Sequence, residues 1–337
     1  MIKFQLKVFA AFILLLQSAC SYSQAPEKET YAEKLGFPKG AKVLILHVDD
    51  AGMSWDSNEG VIKAMEKGVA NSVSIMMPCP WVPGFMHYLK EHPHVDAGLH
   101  LTLTSEWKDY RWGPLSGKPA VPGLVDEEGA FWSSVPEVIA HAKADEVERE
   151  IRSQVERSKA MGWNPTHMDS HMGTLFATPE FLQRYIKVGI EMQIPVMLPG
   201  GHNTMIAESN NIPPAQVASI QEAGKMVWDN GLPVLDDLHN SSYGWYDGKE
   251  KLNDTELRKF ATENYIRTIK ELKPGLTMVI MHCTAPSETF KHISDSEQIR
   301  KGDLLAMTDP VFKKFILDEG IILTTWRDLM IRRKNVK

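Results

Sequence analysis

Cysteine is scarce in this chain, with three in 337 residues, and that excludes a disulfide framework. Cys20 falls in an N-terminal stretch that reads as removable. Cys79 and Cys283 each follow an apolar run and read as ordinary small, semi-buried residues. Positive charge is also in short supply: 37 Lys and Arg stand against 43 Asp and Glu, for a net charge of −6, and the basic residues are scattered. The chain therefore lacks the basic footprint of a nucleic-acid binder. No apolar run approaches the roughly 20 residues a membrane-spanning helix needs. No repeat and no low-complexity tract is visible.

What the N-terminus does hold is a short leader pattern. Lys3 and Lys7 precede the apolar stretch Val8 to Leu16, and small residues lead into Cys20, the order expected of an export signal over 1–23. LQSAC resembles a bacterial lipobox, which would make Cys20 a lipid anchor, whereas cleavage after Ser23 fits the ordinary small-x-small rule. Both readings stand, and both place the protein outside the cytoplasm, in the periplasm or anchored to the outer membrane of a bacterium. Residues 24–40 are polar and read as a tether, leaving 41–337 as one domain.

From Ala41 onward, short β-branched runs alternate with amphipathic helices, the pattern of a parallel α/β fold. Strands are expected at 43–48, 73–77, 96–101, 165–169, 194–198, 277–282 and 321–325. Ser57 is expected to cap a helix ending at Gly68, while Thr178-Pro179 and Asp309-Pro310 open two more. Residues 145–161 put Val147, Ile151 and Val155 on one stripe, with Glu148 and Arg152 paired on a solvated face. Long irregular stretches lie at 104–134, 199–213 and 240–253. Such loops build an active-site rim when they follow barrel strands.

The residues with chemistry share one position. Asp49, Asp50, His100, His167, Asp169, His171 and His282 all stand at or just beyond the C-terminal end of an expected strand, and in a parallel barrel those ends converge on one face. Each alone is ordinary: a strand-end histidine is commonly a hydrogen-bonded rim residue, and an Asp-Asp pair commonly a turn. Together, two histidines and a carboxylate are what a catalytic divalent metal needs. Two adjacent carboxylates closing an apolar strand also call for something positive beside them.

The stretches VDDAG, GLHLTL, PTHMDSHMG and VIMHC resemble, in order and spacing, the motifs of the YdjC-like carbohydrate deacetylases, the family that includes bacterial chitooligosaccharide deacetylase. The resemblance runs from about 43 to 283 and is most specific at PTHMDSH. It implies a distorted (β/α) barrel of about seven parallel strands that removes acetyl groups from N-acetylated sugars with a divalent metal. By that resemblance Asp50, His100 and His171 are the metal ligands, Asp49 is the general base and His282 the candidate acid. His167 and Asp169 fall behind the ligands, where Asp169 would accept the spare ring N–H of a ligand histidine. The chain departs from the family at Ala51, where a phenylalanine is usual, and after His171, where MGTLF replaces a run of histidines. These changes bear on substrate choice.

The rim loops are aromatic, and Trp107, Arg111, Trp112, Trp245 and Tyr246 are candidate sugar contacts because flat rings suit pyranose faces. Two imidazoles with one carboxylate favour zinc, with cobalt, iron or magnesium as alternatives. Two other functions remain open: an exported carbohydrate-binding protein that kept the barrel without turnover, and a metal hydrolase acting on a different bond.

Overall fold

A computed structural model describes residues 29–248 and 250–336. The leader expected over 1–23 and the candidate lipid anchor at Cys20 lie outside the described residues. Among the described residues no helix is long and apolar enough to cross a membrane.

The core is a sheet of seven parallel strands: β1 (Lys42–Ala51), β2 (Ser72–Ile75), β3 (Ala97–Leu101), β4 (Met168–Ser170), β5 (Asp237–His239), β6 (Gly275–Met281) and β7 (Ile322–Leu323). Their order is β4-β3-β2-β1-β6-β5, with β7 paired to the start of β1. β1 is buried along nearly its whole length because it is central, and its near-continuous apolar run is what burial on both faces demands.

Residues 194–198 do not form the expected strand. They contribute single parallel bridges that complete the ring instead: Met168 N–H donates to the Pro195 carbonyl, Met197 N–H to that of Met168, and Leu235 N–H to that of Leu198. The run IPVML lacks the length to pair fully with both edges, and β5, only three residues long, takes the other side. A strand that short carries too little alternation to be read from sequence.

The barrel floor is closed by residues that the sequence suggested were tether. Thr30 caps a one-turn helix, Tyr31–Lys34, whose N–H groups at Tyr31 and Ala32 donate to the buried Asp236 carboxylate at 2.8 and 3.0 Å. Ala32, Leu35 and Phe37 pack with Val43, Ile45, Leu276, Met278 and Trp326. Those contacts hold the segment to the domain, so any free tether ends before Thr30.

Most helix signals hold. Thr178 and Asp309 cap as expected, and the helix Ala144–Ala160 buries Val147, Ile151 and Val155. Ser57, however, is not the cap of the helix Trp55–Lys67; Ser54 is, accepting from Ser57 N–H at 3.0 Å. Glu148 is likewise more than half of a surface pair. It meets Arg152, Arg184 and Lys187, tying that helix to Pro179–Met192. Cys79 and Cys283 are free and fully buried rather than semi-buried.

Candidate active site

The site is built at the C-terminal mouth of the strands, and β1 shows how adjacent carboxylates come to share it. Strict alternation would send Asp49 and Asp50 to opposite faces. The pairing of β1 with β2 instead shifts register between Val48 and Ala51, and Asp50 takes a left-handed backbone with φ 68°. Such a bulge re-aims side chains at the cost of local strain, a device concentrated at functional sites. Gly52 then carries φ 82°, with Val82 only 2.6 Å from where a Cβ would sit.

Around Asp50 stand His100, whose Nε2 is 3.3 Å from Asp50 Oδ1, and His171, whose Nδ1 is 3.6 Å from the same oxygen. The opposite oxygen, Oδ2, accepts from Arg300 Nη1 at 2.6 Å. Burial alone would raise the Asp50 carboxyl, but the Arg300 guanidinium and the two rings hold it well below the usual range. Asp50 Oδ1 is nonetheless buried without a hydrogen bond. Ligand atoms of Asp50, His100 and His171 all lie within 4.8 Å of one another. The sequence-expected trio therefore does converge, with one orphaned oxygen facing two imidazoles.

His171 is reached by a turn that leaves β4. Met172 and Gly173 adopt φ 51° and 66°, folding the chain back so that the ring faces Asp50 while its Nε2 lies 3.1 Å from Glu106 Oε2. Burial would lower the ring's pKa; Glu106 and Asp50 raise it to about 9. His100 is braced from behind, its Nδ1 2.6 Å from Asp169 Oδ1, and its pKa too is raised well above the ordinary value, by Asp49 and Asp169 against burial.

Beneath the mouth lies a polar column. His47 Nε2 is 3.0 Å from Asp49 Oδ1 and 2.9 Å from Asp169 Oδ2, with Ser72 and Ser74 hydroxyls within 3.1 Å of its two nitrogens. Burial would keep this imidazole neutral, yet the two carboxylates raise its pKa to about 9. His167 sits lower, its Nε2 3.6 Å from Asp169 Oδ2 and its ring stacked on Trp326. Gly98 makes room for it: a Cβ there would lie about 2.5 Å from the imidazole.

On the other wall, His282 Nε2 is 3.8 Å from Asp49 Oδ2, and burial lowers its pKa to about 4 despite Asp50, so the ring is neutral at neutral pH. Its backbone N–H donates to Asp303 at 2.8 Å. Arg300 lies over Trp107 and Tyr243, 5.7 and 6.0 Å from the ring centroids.

The expected sugar contacts divide. Trp107 flanks the mouth, half-buried. Trp112 is buried and donates to the Thr104 carbonyl, and Arg111 is spent on Asp126 and the Phe131 carbonyl, so both pin the long loop. Tyr246 is buried against Phe260, and Trp245 leans on Tyr265.

Four residues were not singled out from sequence. His47 lies two positions before Asp49, so alternation along β1 already put it on the same face. Glu106 follows GLHLTL closely. Arg300 and Asp303 come from the helix Glu297–Met307, whose sequence reads as any amphipathic helix.

This arrangement is matched outside the chain. A family profile described as YdjC-like protein covers residues 43–318. The chain belongs to the YdjC-like family. Two relatives named carbohydrate deacetylase align with nearly their whole length. The one from Thermoanaerobacter pseudethanolicus is 26% identical, covering 85% of this chain and 98% of the relative. The one from Thermus thermophilus is 27% identical, covering 88% and 96%. A crystal structure from Enterococcus faecalis, named for cellobiose-phosphate cleavage, superposes with a TM-score of 0.68 at 20% identity. It covers 86% of this chain and 99% of its own, which shows that this YdjC-like chain shares its fold.

Proposed function

We propose that this YdjC-like protein is a metal-dependent hydrolase that removes acetyl groups from N-acetylated oligosaccharides or glycan fragments in the cell envelope. The observation that carries the reading is the orphaned Asp50 Oδ1, buried between the rings of His100 and His171. An unpaired buried carboxylate oxygen is costly, and a cation bound there removes the cost. Two other groupings also bring ligand atoms within 4.8 Å of one another, but both rely on Asp169, which already lies 2.9 Å from His47 and 2.6 Å from His100, so the metal is assigned to Asp50, His100 and His171. Zinc fits that donor set best. A bound ion of this kind lowers the pKa of water toward about 7 and polarises an amide carbonyl.

The remaining chemistry belongs to the chain. Asp49, beside but outside the ligand set, takes a proton from water as it attacks the carbonyl carbon. His282 is neutral at rest and close to Asp49; it passes that proton to the amine nitrogen as the C–N bond breaks, leaving acetate and a free amine. Asp169 fixes the His100 tautomer with Nε2 outward, and Glu106 does the same for His171 with Nδ1 outward. His167 supports Asp169 from below, and Trp107 offers the sugar an aromatic wall. The names of the relatives support the substrate class, and the leader pattern supports export.

The test is metal content of the purified protein beside Asp50→Ala and His171→Ala, each assayed for acetate release from acetylated oligosaccharides. About one metal per chain, lost in both variants together with acetate release, is the expected result. Metal without acetate from any sugar favours a different bond or a binding role, and no metal refutes the site.

A further inference from the structure

Beside the mouth, two tryptophans are left in solvent. Trp55, at the start of the helix Trp55–Lys67, is 53% exposed, and Trp81, at the start of the helix Val82–Glu91, is 42% exposed. The rings contact each other with centroids 5.5 Å apart at 61°. Among the described residues the other large exposed apolar side chains are Ile139, Met172, Met226, Val311, Leu317, Leu323 and Ile331, and none of these is aromatic.

Trp81 is tied through its backbone to the loop that carries Asp50, and Trp55 opens the helix that follows that loop. Trp81 N–H donates to the Gly52 carbonyl at 3.1 Å, Gly52 N–H donates to Asn58 Oδ1 at 2.7 Å, and Asn58 Nδ2 donates to the Trp81 carbonyl at 3.1 Å. Asn58 is buried, and its bond to Gly52 lies in the interior. With Gly52 two residues from Asp50, the Trp81 backbone nitrogen lies no more than about 13 Å from the Asp50 Cα.

Leaving two indoles in water is unfavourable by the area they expose. The triangle of Gly52, Asn58 and Trp81 holds the Trp81 backbone to the catalytic loop, and Trp55 opens the helix that leaves the same loop; two rings kept exposed there, rather than collapsed onto the barrel, imply a ligand that lies across both the mouth and the rings. We propose that Trp55 and Trp81 form a stacking platform for sugar residues distant from the acetyl group being removed, so that the protein is built for glycan chains rather than for mono- or disaccharides. This deepens the deacetylase reading and rests on it for the identity of the sugar. The same rings would also suit the interfacial zone of a lipid bilayer. Their attachment to the Asp50 loop, however, favours the chain that the mouth itself would bind.

The experiment compares binding of a hexasaccharide and a disaccharide of β-1,4-linked N-acetylglucosamine by calorimetry. It uses the metal-loaded wild type and the Trp55→Ala, Trp81→Ala double variant, with acetate release followed in parallel. Both side chains are exposed, so the variant is expected to fold, and a matching thermal melt verifies it. The expected result is a hexasaccharide-to-disaccharide affinity ratio that falls about 5- to 100-fold in the variant, two aromatic contacts being lost. An unchanged ratio, or no binding of the hexasaccharide by the wild type, overturns the platform. So does a variant that keeps sugar binding but loses binding to phosphatidylglycerol vesicles, which assigns the rings to a membrane. If the ratio falls while no acetate is released from either sugar, the platform stands and the deacetylase reading fails.

Discussion

Replacing Asp169 with asparagine should separate what this carboxylate does for the metal from what it does for the fold. Asp169 Oδ1 is 2.6 Å from His100 Nδ1 and Oδ2 is 2.9 Å from His47 Nε2. An amide can accept on one side only. If its oxygen faces His47, its NH2 meets His100 Nδ1, which must give up its proton to accept; His100 then carries the proton on Nε2, the nitrogen aimed at Asp50. A protonated Nε2 cannot bind a metal, so affinity should fall about 10- to 100-fold. If the amide faces the other way, His47 loses one of its two carboxylate partners and keeps Asp49. Its pKa then falls part of the way from about 9 toward 6.5, and at pH 7 that costs at most about 3 kcal/mol.

The two losses have different pH signatures. The stabilisation from His47 is complete below its unfolded value of 6.5 and is lost as pH rises through about 9. The stability gap between wild type and Asp169→Asn, measured by urea unfolding of chelator-treated protein, should therefore narrow between pH 6.5 and 9. Metal affinity is measured separately, by competition with a fluorescent zinc chelator at pH 7. A variant that binds metal within twofold of wild type and unfolds at the same urea concentration would refute the reasoning, since Asp169 would then be neither orienting His100 nor holding His47.

Three further outcomes follow from the same geometry. In the metal-free protein His100 and His171 are both raised above neutrality, so zinc binding at pH 7 should release about two protons. Calorimetry in buffers of different ionisation enthalpy measures the number, and none released would mean that the ligands lie elsewhere. Gly98→Ala should cost about 1–3 kcal/mol in urea unfolding, because the new methyl lands about 2.5 Å from the His167 ring in a packed interior; a neutral result would mean that the ring can move. Burial pushes the Asp303 carboxyl up to about 6 despite donors from Tyr265 and the His282 backbone. Its contribution to stability is therefore full below 3.8 and lost as pH rises through 6, by about 3 kcal/mol. Asp303→Asn should flatten that dependence, measured as urea midpoints at pH 4 and pH 8, and an unchanged slope would assign it to another group.

The parts of this molecule that were legible in the sequence are those set by local pattern. The run VLILHV announced the central strand because burial on both faces permits no polar alternation, and Thr178-Pro179 announced a helix because capping chemistry is local. Where pairing partners decide, the pattern was silent. Residues 194–198 look like a strand yet make only bridges, and 237–239 pairs although three residues carry no period. The site divides in the same way. The convergence of Asp50, His100 and His171 was readable from strand ends, whereas Arg300, 250 positions from its carboxylate, comes from a helix face that only the fold turns inward.

Charge balance at the mouth explains why two adjacent aspartates are sustainable there. Four carboxylates, Asp49, Asp50, Glu106 and Asp169, lie within 4 Å of its ring nitrogens. Arg300 supplies one permanent positive charge and His47, raised to about 9, a second at neutral pH. Formally two negative charges remain, and Asp303, committed to Tyr265 and to the His282 N–H, stands outside that ring. In the metal-free protein, protons on His100 and His171 make up the difference, consistent with both being raised. A divalent ion makes up the same difference while freeing both imidazoles to bind it, and that exchange is why about two protons should leave for each ion bound. A variant that removes one carboxylate, such as Glu106→Gln, should then release about one proton fewer on binding zinc. If it released as many as wild type, the balance described here would be wrong even with every distance right.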